Sequence, residues 1–358
     1  MINCFEPSIT KEDLKRVENT LLTKVLAFGP NVSSFEDEYK KFSKKKYNIG
    51  FNSASSAAYL LFQYLYEQLG SCRVYTTSLG FVSPVFAAIK NNHEVVYVDV
   101  DKDLLMCQKS LSDVFIQDEK INIIMPVLYG GVSEVKGIEE FSIDNKCILV
   151  LDSAHCISPT MGYDYAFYSF HPVKPICMSN GGLLATDNQN ASDYMFRGRN
   201  FGRYSVGDSY DLVQSGFNFY MNNLNASLGL SQISRCIDNV KKRKDNFNFL
   251  KSNLPKNLGY LCDHDEFSSY YLSTLVLKNQ FSSDIMRKKL LDNGVQASFH
   301  YPYLHTSSFY KQDIVLPNLD SMKNKIINLP IHQELSYQDL EKIVHECFRY
   351  SRSRRQSQ

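Results

Sequence analysis

Between residues 45 and 190 the chain alternates short, nearly unbroken apolar runs with amphipathic segments of helical period. The runs are Tyr47–Asn52, Val74–Thr77, Val95–Val100, Ile121–Leu128, Cys147–Asp152, Tyr165–Phe170 and Gly182–Thr186. An apolar run without strict alternation marks a strand covered on both faces. Helical segments between such runs fit right-handed crossovers. The pattern predicts an α/β fold with a seven-stranded, mixed but mostly parallel sheet flanked by helices. A ligand is expected at the carboxyl ends of the strands.

Near residue 250 the pattern changes. Tyr270–Leu277 reads as a strand, Ser283–Asn293 as a helix stopped by Gly294, and Val295–Tyr301 as another strand. The last helix is expected from Ser336, where Asp339 completes a capping pattern. These elements predict a smaller C-terminal α+β domain. The expected division is 1–245 for the large domain, with the N-terminal segment, and 246–358 for the small one. No repeat or low-complexity linker separates them, so tight packing is expected.

Bulk properties limit the partners. A formal net charge of +1 on 358 residues gives no reason to expect nucleic acid or an anionic membrane. Only Ser351–Arg355 is locally basic, and it is expected to fray. No apolar run approaches the roughly 18 residues of a membrane span, and the first residues lack the basic and apolar regions of an export signal. The nine cysteines are scattered without a Cys-x-x-Cys pair, which argues for reduced thiols in a cytoplasm and against a metal site.

The chemistry concentrates at two strand ends. Asp152 closes the apolar run Cys147–Asp152, His155 follows three positions later, and Ser169 and Lys174 lie in and just after the next run. A carboxylate closing a buried strand is costly unless paired, although the same residue would also serve as a helix cap. A lysine on a loop between two buried strands points into the protein, where burial favours the neutral nucleophilic amine. Together these groups suit pyridoxal 5′-phosphate (PLP): the lysine takes its aldehyde, the Asp pairs with its ring nitrogen, and small polar groups take its phosphate. His155 would stack on the ring or bond its 3-oxygen. Asn52–Ala58 follows a strand and opens a helix, so the backbone N–H groups of Ala54 and Ser55 are phosphate donors, with the Ser169 hydroxyl beside them. Simple helix capping would give the same local pattern. Phe81, on the loop after the second strand, is placed to cover one ring face.

These residues, in order, resemble the sugar-nucleotide aminotransferases of the DegT/DnrJ/StrS type, which have the fold-type-I PLP transferase architecture. Phe28–Val32 with Phe35-Glu36, the loop Asn52–Ala58, Val95–Asp101, Leu128-Tyr129-Gly130, Asp152–His155, Ser169–Lys174, Arg199–Gly202, Gly216–Phe219 with Asn225–Gly229, His300–Pro302 with Leu304-His305, and Leu329–His332 all match motifs of that family. The resemblance implies Lys174 as Schiff-base lysine, Asp152 at the pyridine nitrogen and His155 at the ring side. It implies Ala54, Ser55 and Ser169 at the phosphate, with Phe81 stacked on the ring. Asn218 would reach the phosphate of a neighbouring subunit, making the protein a homodimer with shared sites. His300, Tyr301 and His305 would line the sugar-nucleotide cleft.

The implied reaction moves an amino group from L-glutamate to a nucleotide-linked keto-sugar, with the cofactor passing through pyridoxamine 5′-phosphate. The His-Pro-Val-Lys form of the lysine loop is similar to members acting at C4 of a 4-keto-6-deoxyhexose rather than at C3. Such amino sugars enter O-antigen, lipopolysaccharide, capsule and other glycans. A PLP-dependent sugar dehydratase of the same family would carry His in place of Lys174. A non-catalytic PLP-binding regulator is the remaining alternative. The chain departs from the family pattern at Ala54, Asn180, Phe201 and Tyr220.

Overall fold

The structure is a computed structural model that describes residues 1–206, 209–309 and 311–353. Its main sheet contains β1 (Tyr47–Phe51), β2 (Arg73–Thr77), β3 (Glu94–Val98), β4 (Asn122–Met125), β5 (Ile148–Ser153), β6 (Tyr165–Ser169) and β7 (Gly182–Thr186). The spatial order is β1-β7-β6-β5-β4-β2-β3. Pairs β2/β3, β2/β4, β4/β5 and β5/β6 are parallel, whereas β7 runs antiparallel to both β6 and β1. The expected seven-stranded mixed sheet is therefore present.

The connection between Ser169 and Gly182 contains no helix. Without a crossover the chain returns antiparallel. The Lys174 loop thus stays at the carboxyl end of β6, where it was expected.

Both faces of the sheet are covered. Val74, Ile123, Val150 and Phe167 pack into one core, while their neighbours Tyr75, Ile124, Leu151 and Tyr168 pack into another. Burial of alternate residues on opposite faces explains why the strands read as unbroken apolar runs. The helix Ala54–Leu69 covers one face and begins with Ser53, whose side chain accepts from the Ser56 N–H at 3.1 Å.

A two-stranded ribbon, β8 (Arg203–Val206) and β9 (Ser209–Leu212), precedes the C-terminal part. There β10 (Gly259–Leu261), β11 (Ser273–Leu277) and β12 (Ile326–Leu329) form an antiparallel sheet with its own core. The helices Ser283–Asp292 and Tyr337–Ser353 belong to this layer. Gly294 has φ +79°, as a residue just past a helix end should. Ser336 and Asp339 exchange the reciprocal capping bonds, at 2.9 and 3.2 Å. The last helix runs on to Ser353 rather than fraying at 351, and Arg354 and Arg355 lie outside the described residues.

Two readings are corrected. Val295–Tyr301 is not a strand: its β-pairing is limited to single bridges, Val295 to Ile2 and Ser298 to Asn328. The chain leaves the sheet there, and His300 and Tyr301 line the cavity described below. The strand expected from Tyr270 starts at Ser273, because the Tyr271 and Leu272 N–H groups both donate to the Gly130 carbonyl instead. The division expected at 245/246 falls inside the helix Cys236–Asn253, and Ile2 packs in the small core beside Val295. Among the described residues no helix is long and apolar enough to cross a membrane.

Candidate active site

A cavity of about 380 Å³ opens at the carboxyl ends of β5 and β6. Ala54, Ser55, Phe81, Asp152, Ser169, Lys174, His300 and Tyr301 all line it. Residues separated by nearly 250 positions therefore share one pocket.

Asp152 is buried at the end of β5 and accepts a hydrogen bond from the Ala154 N–H at 3.1 Å. Burial pushes its carboxyl up to about 6, against the opposing pull of that bond and of Lys174. Lys174 is also buried, and its N–H donates to the His171 carbonyl at 2.8 Å. Burial brings its amine down to about 7; Asp152 opposes the change and Arg243 reinforces it. Burial thus disfavours the charged form of both groups, and their mutual attraction works against it.

The phosphate end is backbone. Ser53 caps the helix at Ser56, which leaves the first-turn N–H groups of Ala54 and Ser55 at the cavity without intrahelical acceptors. Ala54 is already helical, so its methyl group is accommodated without left-handed strain. A Cβ on Gly182 would lie 2.2 Å from the Ser53 carbonyl carbon and 2.3 Å from the Ala54 nitrogen. Glycine lets β7 press its backbone against this loop and fix it. Donors at one end, a carboxylate further in and an amine beside it fit a phosphorylated pyridine aldehyde. Among the described residues no group of three or more His, Cys, Asp or Glu could hold a metal ion.

His155 lies behind the lining. Its Nδ1 accepts from the Gly130 N–H at 3.3 Å, so its Nε2 carries the proton and donates to the Tyr301 hydroxyl at 3.0 Å. Burial, Lys174 and His300 push its pKa well below the usual range, so the ring is neutral. Phe81 is half-exposed, its ring 5.6 Å from that of Tyr301 in an edge contact.

His305 does not line the cavity. It is buried with Nδ1 2.7 Å from the Ser78 hydroxyl and Nε2 3.2 Å from Asp320. Its turn, Leu304–Thr306, packs under the end of β2, which turns the imidazole inward. Asn218 is exposed and does not line the cavity; its carbonyl accepts from the Asn52 side chain at 3.1 Å. Of the departures, Asn180 lines the cavity, Phe201 sits exposed at φ +61°, and Tyr220 meets Phe28 edge-on at 6.1 Å.

Sequence reasoning missed Tyr271 and Arg243. Tyr271 lines the cavity with its ring centroid 4.0 Å from Lys174 Nζ. Arg243 is buried, with Nε bonded to Gln333 at 2.8 Å and Nη1 without a partner. Tyr271 read as part of a strand. Arg243 was one basic residue in the run Lys241–Lys244, with nothing to set it apart.

The model of the DegT/DnrJ/EryC1/StrS aminotransferase family matches residues 7–348. The chain is 27% identical over 368 residues to a UDP-4-amino-4,6-dideoxy-N-acetyl-beta-L-altrosamine transaminase of Campylobacter jejuni, covering 97% of each. A Helicobacter pylori protein of the same description is 26% identical over 373 residues, covering 96% of each. The fold matches that of Helicobacter pylori PseC, an aminotransferase involved in the biosynthesis of pseudoaminic acid. The TM-score is 0.93 at 23% identity, over 98% of this chain and 99% of the other. The PMP form of the putative sugar aminotransferase Spr1654 from Streptococcus pneumoniae gives a TM-score of 0.91 at 20% identity, over 99% and 100%.

Proposed function

This chain belongs to the DegT/DnrJ/EryC1/StrS aminotransferase family, and from that premise we propose that it moves an amino group from L-glutamate to a nucleotide-linked keto-sugar with PLP as cofactor. The observation that carries the reading is one cavity holding the Lys174 amine, the Asp152 carboxylate and the open N–H groups of Ala54 and Ser55. Bound PLP supplies the electron sink that lets an amino donor release its α-proton. The remaining work falls to the chain. Ala54, Ser55 and Ser169 bind the phosphate. Asp152, ionised, faces the ring nitrogen and keeps it protonated. Lys174 would hold the cofactor covalently at rest; once freed, its Nζ would carry the donor's α-proton to the cofactor's C4′ in the first half of the cycle, and a proton from C4′ to the amine-bearing carbon of the sugar in the second.

The sugar would enter past Phe81, His300 and Tyr301. We propose C4 of a UDP-linked 4-keto-6-deoxy sugar as the acceptor. The lysine loop supports C4, and the relatives' names carry nitrogen at C4 of a UDP-linked dideoxy sugar. Asn218, exposed on its own subunit, would complete the phosphate site of a second copy, making the active form a homodimer. Incubation with ¹⁵N-labelled L-glutamate, PLP and a panel of nucleotide-linked 3-keto and 4-keto sugars tests this reading. A product with the label at C4 of the UDP-linked member is expected. Label at C3, or in a differently linked sugar, would refute the acceptor assignment.

A further inference from the structure

We propose that Tyr271 is a positioning residue for Lys174: its ring face holds the lysine's terminal nitrogen in the cavity when that nitrogen is free of the cofactor and carries the proton. This rests on the reading of Lys174 as the group that moves the proton. A freed lysine on a loop has many rotamers, and proton transfer needs one. Lys174 Nζ stands 4.0 Å from the centroid of the Tyr271 ring, well inside the range of a cation–π contact.

The ring itself is fixed from several sides. Phe5 stacks on it at 5.5 Å with planes 22° apart, and the His155 ring lies 4.4 Å away. The Tyr271 and Leu272 N–H groups converge on the Gly130 carbonyl at 2.9 and 3.0 Å. Gly131 has φ +97°, and a Cβ there would come within 3.0 Å of the Tyr271 nitrogen. Tyr270, just before, has φ +48°, a left-handed conformation unfavourable for a bulky residue. The chain accepts this strain at Tyr270 and uses two glycines 140 positions away to set the next side chain under the lysine.

The electrostatic surroundings make the contact measurable. Asp152 favours the Lys174 ammonium and Arg243 disfavours it. Among the described residues Arg243 makes no ion pair, although Glu334 and the Tyr271 phenol act on its charge from further off, and its Nη1 has no hydrogen-bond partner. His155, His171 and His300 are all shifted toward neutrality, and the phenols of Tyr271 and Tyr301 are held protonated by burial. The ring face therefore adds to the side of Asp152.

The test uses the full-length, PLP-free chain and follows carbamylation of Lys174 by cyanate against pH, read by peptide mass spectrometry. Tyr271→Phe keeps the ring and should reproduce the wild-type midpoint. Tyr271→Leu and Tyr271→Met remove it and should lower the midpoint by about half to one pH unit. A purely structural role would lower the melting temperature without moving the midpoint. The two aliphatic variants give independent readings should one fold poorly. An unchanged midpoint in either, or a Phe variant that falls with them, overturns the proposal. If the wild-type chain takes up no PLP at Lys174, the functional reading fails, while the carbamylation midpoints still decide the Tyr271 contact.

Discussion

The cavity has two walls of different construction. One is made by strand ends and a helix start of the main sheet: Asp152 on β5, Ser169 on β6, the Lys174 loop, and Ala54 and Ser55. The other is made by irregular backbone that joins the small sheet to the main one: Tyr271, His300 and Tyr301. The first wall inherits its geometry from a parallel sheet buried on both faces. The second depends on a left-handed Tyr270, on Gly130 and Gly131, and on a segment that leaves its sheet after Ser298. In the proposed reading the groups for amino transfer sit on the first wall, and His300 and Tyr301, which would meet the sugar, sit on the second.

The largest expected effect breaks the first wall. Lys174→Ala should lower glutamate-dependent amino transfer by about 10²–10⁴-fold or more, measured as the half-reaction in a stopped-flow spectrometer. In the intact protein, covalent uptake of PLP needs the neutral amine. Because the folded pKa is depressed to about 7, uptake should rise as pH climbs to that value and level off above it. A rise only near about 10, the ordinary lysine range, would contradict the buried setting.

Next is Asp152→Asn, which removes the ring nitrogen's charged partner. PLP affinity should fall by about 100-fold, or about 3 kcal/mol, by equilibrium dialysis. Gly182→Ala follows. Its methyl would strike backbone at Ser53 and Ala54, which cannot rotate away, and should cost about 1–3 kcal/mol together with much of the phosphate affinity. A variant that binds PLP normally would show that β7 does not set the loop.

The smallest effect separates the walls. His305→Ala should destabilise the chain by about 1–3 kcal/mol in urea, since buried Ser78 loses its partner, yet leave the glutamate half-reaction intact. A specific loss of activity toward the sugar alone would return His305 to the cleft.

The same contrast explains what the sequence could reveal. All seven strands of the main sheet were legible because burial on two faces leaves unbroken apolar runs, and the anchors lie at the ends of those runs. Tyr271 was not legible: its place is set by Gly130 and Gly131, far away in the chain. The cleft role of His305 came from the family resemblance alone; its contact with Ser78, 227 positions away, holds the imidazole buried outside the cavity lining. Lys174 could be read from its own neighbours. Arg243 could not, because only the fold reveals that one of several helix cations is buried with Nη1 lacking a hydrogen-bond partner.

The central claim is that Lys174 and Asp152 together make a PLP-dependent amino-transfer site. The most direct test is the visible absorption spectrum of the purified protein with PLP, before and after L-glutamate. A band from cofactor bound at Lys174 is expected that disappears with glutamate, is restored by 2-oxoglutarate, and never forms in Lys174→Ala. A wild-type band that ignores glutamate, or no band at all, would contradict it.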